Sequence, residues 1–360
     1  MSGPIAKIAL LGSGTVGLAV LRRLAEWQGT TLGNQLQLVY AANTRLALTD
    51  PHGLDPLECA GRLPDAPRNG RPPGPDALTA LGSDGIRILI DATADAGTAA
   101  SHAACLSGGV NVATACKLAA GTSLDQWRAI NEACGRTRSG FGDRATVGAG
   151  LPLLRSIREL RAGGDHIHAI AGVMSGSLAW LFHHFDGGQP FSALVRKARD
   201  AGFTEPDPRD DLSGEDVRRK ILILARAAGF AIESDQVEVA SLVPPELAAL
   251  PVLKVNGGLQ LLDDPLSAKL AAARAQGCSL RFVARLTGGR ASVGLESLCP
   301  GDPLHGGGGT DNRVAIWSDR YRHQPLVIQG PGAGAEVTAA ALLDDVLHLR
   351  AQALGRALAA

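Results

Sequence analysis

Residues 5–27, IAKIALLGSGTVGLAVLRRLAEW, decide how this chain is read. Residues 5–11 make a short, nearly continuous apolar run, as a strand buried on both faces requires. Gly12, Ser13, Gly14, Thr15, Val16 and Gly17 follow, and LAVLRRLAEW then repeats its apolar positions at helical spacing. In such a strand, turn and helix, the first glycine permits a tight turn and the second lets a pyrophosphate approach the backbone. The third lets helix and strand pack closely. A GxGxxG in that setting predicts a Rossmann-like dinucleotide fold, against the plainer reading of a glycine turn without a ligand.

Two further apolar runs, residues 36–42 and 85–93, continue the alternation of strands and helices and imply a doubly wound sheet. The first of them ends in Asn43, Thr44 and Arg45. An NAD site usually sets a carboxylate there for the ribose hydroxyls. With none present and Arg45 able to bind a 2′-phosphate, NADP is favoured and NAD stays open. The competing account makes Arg45 a solvated surface charge. Residues 57–75, rich in proline and other turn formers, are expected to be an irregular surface excursion. Lys117 follows the strand-like residues 110–114 and falls at the carboxyl edge of the sheet, where ligands bind.

A helix opening near Pro152 marks the domain junction. The expected division is residues 1–150 for the nucleotide, 151–328 for substrate and catalysis, and 329–360 as a C-terminal segment with a glycine turn and an amphipathic helix. In the second part, residues 166–174, 279–286 and 325–330 read as strands.

Lys plus Arg and Asp plus Glu both number 35 in the 360 residues, so no net field draws the chain to nucleic acid or another polyanion. No apolar run approaches the roughly 18 residues of a membrane span, and no secretory leader is evident. The six cysteines lack a CxxC or ligand-like spacing, and the expectation is reduced thiols in a cytoplasm.

The chemistry concentrates in residues 202–220, GFTEPDPRDDLSGEDVRRK. Glu205, Asp207, Asp210, Asp211, Glu215 and Asp216 make a negative site suited to an ammonium group; a hydrated loop before a helix is the alternative. Ser213 and Asp216 have the spacing of a helix cap, and Asp216 stands four residues before Lys220. Val217, Lys220, Ile221 and Leu224 share one helical face, so the lysine points with the apolar stripe. An inward lysine beside carboxylates is a candidate for proton exchange during hydride transfer.

Over nearly its whole length the chain resembles homoserine dehydrogenases, most closely the dehydrogenase half of the bifunctional aspartokinase-homoserine dehydrogenases. The resemblance rests on GSGTVG, on VGAGLP at residues 147–152, and on GVMSGSLAWLF at 172–182. TEPDPRDDLSGEDVRRKILILAR at 204–226 and GAGAEVTAA at 332–340 complete it. It implies an α/β protein: a Rossmann-like doubly wound domain, an α+β catalytic and dimerisation domain, and a final helix returning to the nucleotide domain. It also implies a soluble cytoplasmic homodimer that interconverts L-aspartate 4-semialdehyde and L-homoserine with NAD(P)H. Another NADP-dependent semialdehyde or amino-acid dehydrogenase, or a non-catalytic NADP-binding protein, are the other readings of the residues.

By the same resemblance Lys220 transfers the proton with Asp216 beside it, and Lys117 assists at the nicotinamide and substrate. Glu205, Asp211 and Asp216 hold the amino acid, Gly176 and Ser177 line its pocket, and Gly12, Gly14, Thr93 and Gly334 contact the nucleotide. Three positions depart from the family pattern: Cys116 replaces an Asn, Phe203 a Tyr, and Arg144 the acid of a monovalent-cation site. Backbone carbonyls of Val147 and Ala149 remain as sodium ligands, and the neighbouring Asp143 is the acid that a local shift would put in place of Arg144. With neither a kinase half nor an appended regulatory domain in the sequence, little direct threonine feedback is expected.

Overall fold

In a computed structural model, which describes residues 4–67 and 76–359, β1 (Ala6–Leu11) runs through the glycine turn into α1 (Thr15–Glu26). β2 (Leu36–Ala42) and the short β3 (Ala47–Thr49) follow, then α2 (Pro56–Arg62), α3 (Ala77–Leu81) and β4 (Ile86–Asp91). α4 (Ala96–Ser107), β5 (Asn111–Thr114), α5 (Leu124–Thr137) and β6 (Phe141–Gly142) complete this stretch. The strand order is β3-β2-β1-β4-β5-β6, parallel throughout except for β2 with β3. Strand order reverses at β1, and the carboxyl ends of β1 and β4 flank the crevice where such sheets bind ligands.

Ala6, Ile8 and Leu10 of β1 pack into one apolar cluster with α1, while Ala9 joins Val39 and Leu89 in a second cluster. Burial on both faces explains why residues 5–11 show no polar alternation. The irregular stretch expected from residue 57 begins instead as a helix. Asp55 caps α2 by accepting the Leu57 and Glu58 amides, and Pro56 takes a first-turn position that needs no donor. Residues 68–75 of that stretch lie outside the described residues.

The second unit opens with α6 (Leu153–Ala162), directly after Pro152, then β7 (Ile167–Val173), α7 (Gly176–His184), α8 (Phe191–Asp200), α9 (Arg209–Leu212) and α10 (Glu215–Ala227). β8 (Val237–Val239), α11 (Pro245–Ala248), α12 (Val252–Gly258) and α13 (Asp263–Ala275) lead to β9 (Ser279–Thr287), β10 (Arg290–Leu298), β11 (Asp311–Ser318) and β12 (Leu326–Pro331). The sheet order is β12-β11-β7-β9-β10-β8, antiparallel except where β8 meets β10. β12 runs past residue 328 because its ladder with β11 extends to Pro331.

The β9–β10 hairpin corrects the reading of six reduced thiols. Its register sets Ser279 opposite Leu298, so Cys278 and Cys299 face each other one step further on and are joined by a disulfide. Cys59, Cys105, Cys116 and Cys134 are free. Sequence spacing alone hides the pair, since only the hairpin brings residues 21 apart together.

α14 (Ala335–Ala359) belongs to the first unit. Ala339, Leu342, Leu343, Val346 and Leu349 enter the apolar cluster of β1 and α1, and Arg350 binds Gln35 Oε1 at 2.7 Å and the Pro4 carbonyl at 3.0 Å. The units are thus residues 1–150 with 333–360, and residues 151–332. Among the described residues no helix is long and apolar enough to cross a membrane.

Candidate active site

The first unit presents a cradle at the carboxyl end of β1. Gly12 has φ 95°, and its amide donates to the Ala42 carbonyl at 2.8 Å. A β-carbon there would lie 2.7 Å from the Ala92 carbonyl oxygen, and one on Gly17 would fall on the Gly12 carbonyl. Gly14 is the N-cap of α1, whose first turn holds Thr15, Val16 and Gly17, with neither a capping side chain nor an acidic residue. Open amides at the start of a 12-residue helix, beside a backbone bare of β-carbons, fit the pyrophosphate of a dinucleotide.

Asn43 shapes the next loop. Its Nδ2 donates to the Ser13 hydroxyl at 2.8 Å, and its Oδ1 accepts the amides of Arg45 and Leu46 at 2.8 and 2.9 Å. Arg45 is half-buried and its guanidinium donates to the Ala66 carbonyl at 3.0 Å, with no carboxylate paired to it among the described residues. That favours a phosphate ligand over a solvated charge. Thr93 follows β4, its amide and hydroxyl donating to Asp91 at 2.9 and 2.7 Å. Lys117 stands three residues past β5, half-buried, and Gly334 (φ 131°) precedes α14, its carbonyl accepting the Thr338 amide and hydroxyl.

The second unit gathers the acidic segment and Lys220. Val217, Ile221 and Leu224 are buried on α10, and this face carries Lys220 inward until 8% of it remains exposed. Nζ donates to Asp216 Oδ2 at 2.8 Å and to the Met174 carbonyl at 2.7 Å. An ammonium has three N–H donors, so one is left for a substrate oxygen. The capping arrangement expected of Ser213 and Asp216 does not form. Gly214, in the left-handed region at φ 81°, is the N-cap of α10, and Ser213 closes α9 by donating to the Asp210 carbonyl.

The six carboxylates divide by partner. Asp207 pairs with Arg209 at 2.6 Å and Glu215 with Arg218 at 2.5 Å, which ties both to the scaffold. Asp211 accepts the Ser177 hydroxyl on Oδ1 at 2.7 Å and the Glu205 amide on Oδ2 at 2.8 Å. Burial raises the Asp211 pKa above the ordinary carboxylate value and the charges of Asp216 and Asp210 add to this, while the Ser177 and Glu205 bonds oppose it. Asp210 and Glu205 are exposed. Gly176 and Ser177 begin α7, where the Ser175 hydroxyl caps the helix, and a β-carbon on Gly176 would approach the Thr310 carbonyl to 3.4 Å.

Phe203 lies over Trp180, ring centres 5.2 Å apart, and is 44% exposed. Cys116 is buried, its amide donating to the Thr114 hydroxyl, and burial pushes its thiol pKa up. Arg144 turns back onto α14, its Nε at 3.0 Å from Asp345 Oδ1 and its amide at 3.0 Å from Oδ2. Val147 and Ala149 are buried beyond it, Ala149 with φ 49°. The Arg144 guanidinium is no cation ligand, and the acid next to it, Asp143, is buried. Among the described residues no group of three or more His, Cys, Asp or Glu could hold a metal ion.

Sequence reasoning missed the Met174 carbonyl, Asn312, which donates to it at 3.4 Å, and the group around Asp91. A backbone acceptor has no residue-type signature.

The profile of the homoserine dehydrogenase family matches residues 152–347. The bifunctional aspartokinase/homoserine dehydrogenase 2 of Escherichia coli is 40% identical over 349 residues, 95% of this chain and 43% of that protein. The chain therefore spans less than half of that relative. The homoserine dehydrogenase of Paracoccidioides brasiliensis is 34% identical over 97% of this chain and 99% of its own length. A hyperthermophilic archaeal homoserine dehydrogenase solved in complex with NADPH shares the fold, with a TM-score of 0.72, 20% identity, and coverage of 95% of this chain and 97% of that one.

Proposed function

The chain belongs to the homoserine dehydrogenase family, and on that premise we propose that it interconverts L-aspartate 4-semialdehyde and L-homoserine with NADP(H), in threonine and methionine synthesis. Lys220 carries this reading: a buried ammonium with two donors committed and one uncommitted, beside carboxylates suited to an amino acid.

In the reducing direction, NADPH held by the first unit would supply a hydride equivalent for the aldehyde carbon. The carbonyl electron pair moves to oxygen, and Lys220 delivers a proton to that forming alkoxide through its third N–H. Asp216 and the Met174 carbonyl keep Nζ aimed, and the lysine regains its proton from solvent. Glu205 and Asp211 hold the substrate ammonium, with the Ser177 hydroxyl and the Glu205 amide fixing the Asp211 carboxylate. Gly176 leaves room for the substrate backbone. On the nucleotide side, residues Gly12 to Gly17 would hold the pyrophosphate and Arg45 the 2′-phosphate, while Thr93, Lys117 and Gly334 serve the nicotinamide end.

We assign residues 1–150 and the C-terminal segment to the nucleotide, and the unit between them to catalysis and to a homodimer built on its sheet. A cytoplasmic setting rests on the four free cysteines, while the Cys278–Cys299 disulfide weighs against it.

Steady-state assays with the semialdehyde and homoserine, each with NADP(H) and NAD(H), test the proposal. Turnover should be efficient and favour NADP(H); no NADPH oxidation with the semialdehyde would overturn it. Lys220→Ala should cost about 10²-fold or more in kcat and leave NADP affinity nearly unchanged.

A further inference from the structure

We infer that the buried pair Asp91–His102 is the positioning element of the nucleotide edge, holding the two loops that carry Thr93 and Lys117 in one fixed arrangement. The inference rests on the dinucleotide-binding reading of the first unit and deepens it. Asp91, His102 and Thr114 are each fully buried. The carboxylate of Asp91, last residue of β4, collects four donors: the Thr93 amide and hydroxyl on Oδ1, and His102 Nε2 at 2.9 Å with the Thr114 hydroxyl at 3.2 Å on Oδ2. The two hydroxyl donors each have a second link. The Thr93 hydroxyl accepts the Asp95 amide at 3.2 Å, and the Thr114 hydroxyl accepts the Cys116 amide at 2.9 Å.

One carboxylate thereby sets the turn after β4 and the turn after β5, the latter one residue before Lys117. Both lie at the carboxyl edge where doubly wound sheets bind their ligand. A buried carboxylate is costly unless its acceptor sites are filled, so the loops cannot shift without leaving one of them empty. His102 comes from α4, and donating through Nε2 leaves its buried Nδ1 without a partner. A packing histidine in α4 needs no such arrangement, whereas one committed to aiming Asp91 accepts an unmatched acceptor. Asp91 touches no ligand in this scheme; it acts through Thr93 and the segment at Lys117.

Asp91→Ala and the milder Thr114→Val, made in the full-length protein, test this by NADPH titration, by separate KM values for NADPH and semialdehyde, and by thermal unfolding. Wild-type NADPH binding is measured first, because its absence would sink the dinucleotide reading and not this one. The expected result is a rise of about tenfold or more in the NADPH Kd and KM for Asp91→Ala and a smaller rise for Thr114→Val, with the semialdehyde KM within twofold. His102→Gln, which keeps a donor able to reach Asp91, should restore most of the affinity that His102→Ala loses. A merely structural role would lower the unfolding temperature and kcat together and leave the NADPH Kd unmoved. That outcome, in Thr114→Val and His102→Ala if Asp91→Ala does not fold, overturns the inference.

Discussion

Asp211 is the acid whose surroundings most oppose its charge, and pH should report on it. Burial raises its pKa in the folded chain, so the folded state holds that proton more tightly than the unfolded state. Its contribution to stability is present at low pH and is lost as pH rises from the ordinary carboxylate value through the raised one. An ammonium ligand needs the ionised form, so affinity runs the other way. The KM for homoserine should climb as pH falls through a value above the ordinary carboxylate range, and Asp211→Asn should abolish that climb; a flat KM in the native enzyme contradicts the role. Lys220 and Asp216 were legible in sequence because i,i+4 spacing and an apolar stripe are local facts. Asp91 and His102 were not, since their meeting depends on how α4 lies against β4.

The glycine turn between β1 and α1 was equally legible, and for it the structure adds a direct steric reason. Gly17→Ala would drive a methyl group into the Gly12 carbonyl, so the turn must open. NADPH affinity should fall about tenfold or more, read by titration, with the semialdehyde site intact. Strands β10 and β11 were unmarked in the sequence because charged residues and glycine interrupt their apolar alternation, and the hairpin of β10 with β9 supplies the register that joins Cys278 to Cys299. The clamp of Arg144 on α14 leads to another expectation. With a guanidinium in place of a cation ligand, turnover should be equal in sodium, potassium and choline chloride at matched ionic strength. Arg144→Ala removes the guanidinium from Asp345 and keeps the backbone amide bond to it, so it should lower stability by about 1–3 kcal/mol; calorimetric or denaturant unfolding measures it.

Across the whole chain, the class of fold followed from alternating strands and helices and the junction after residue 150 from the helix opening at Pro152, while the return of the last helix to the first unit depends on long-range contacts that no local pattern encodes. The first unit is discontinuous, and its last helix is part of its core. Leu342, Leu343, Val346 and Leu349 of α14 are all buried there, and at about 1.5–3 kcal/mol each they contribute about as much as the net stability of an entire domain. Truncation after residue 332 should therefore abolish cooperative unfolding of the nucleotide-binding unit and NADPH binding, while residues 151–332 keep their own transition in calorimetry. The same discontinuity orders events on the ribosome. At roughly 5–20 residues per second, the 150th residue emerges some ten to forty seconds before the 333rd. The catalytic unit is complete in that interval, and the earlier-made sheet waits with one apolar face uncovered. Chain elongation itself thus becomes a timer for the exposure of β1, and slow translation between residues 151 and 332 lengthens the period in which a chaperone, or a second nascent chain, meets that face first.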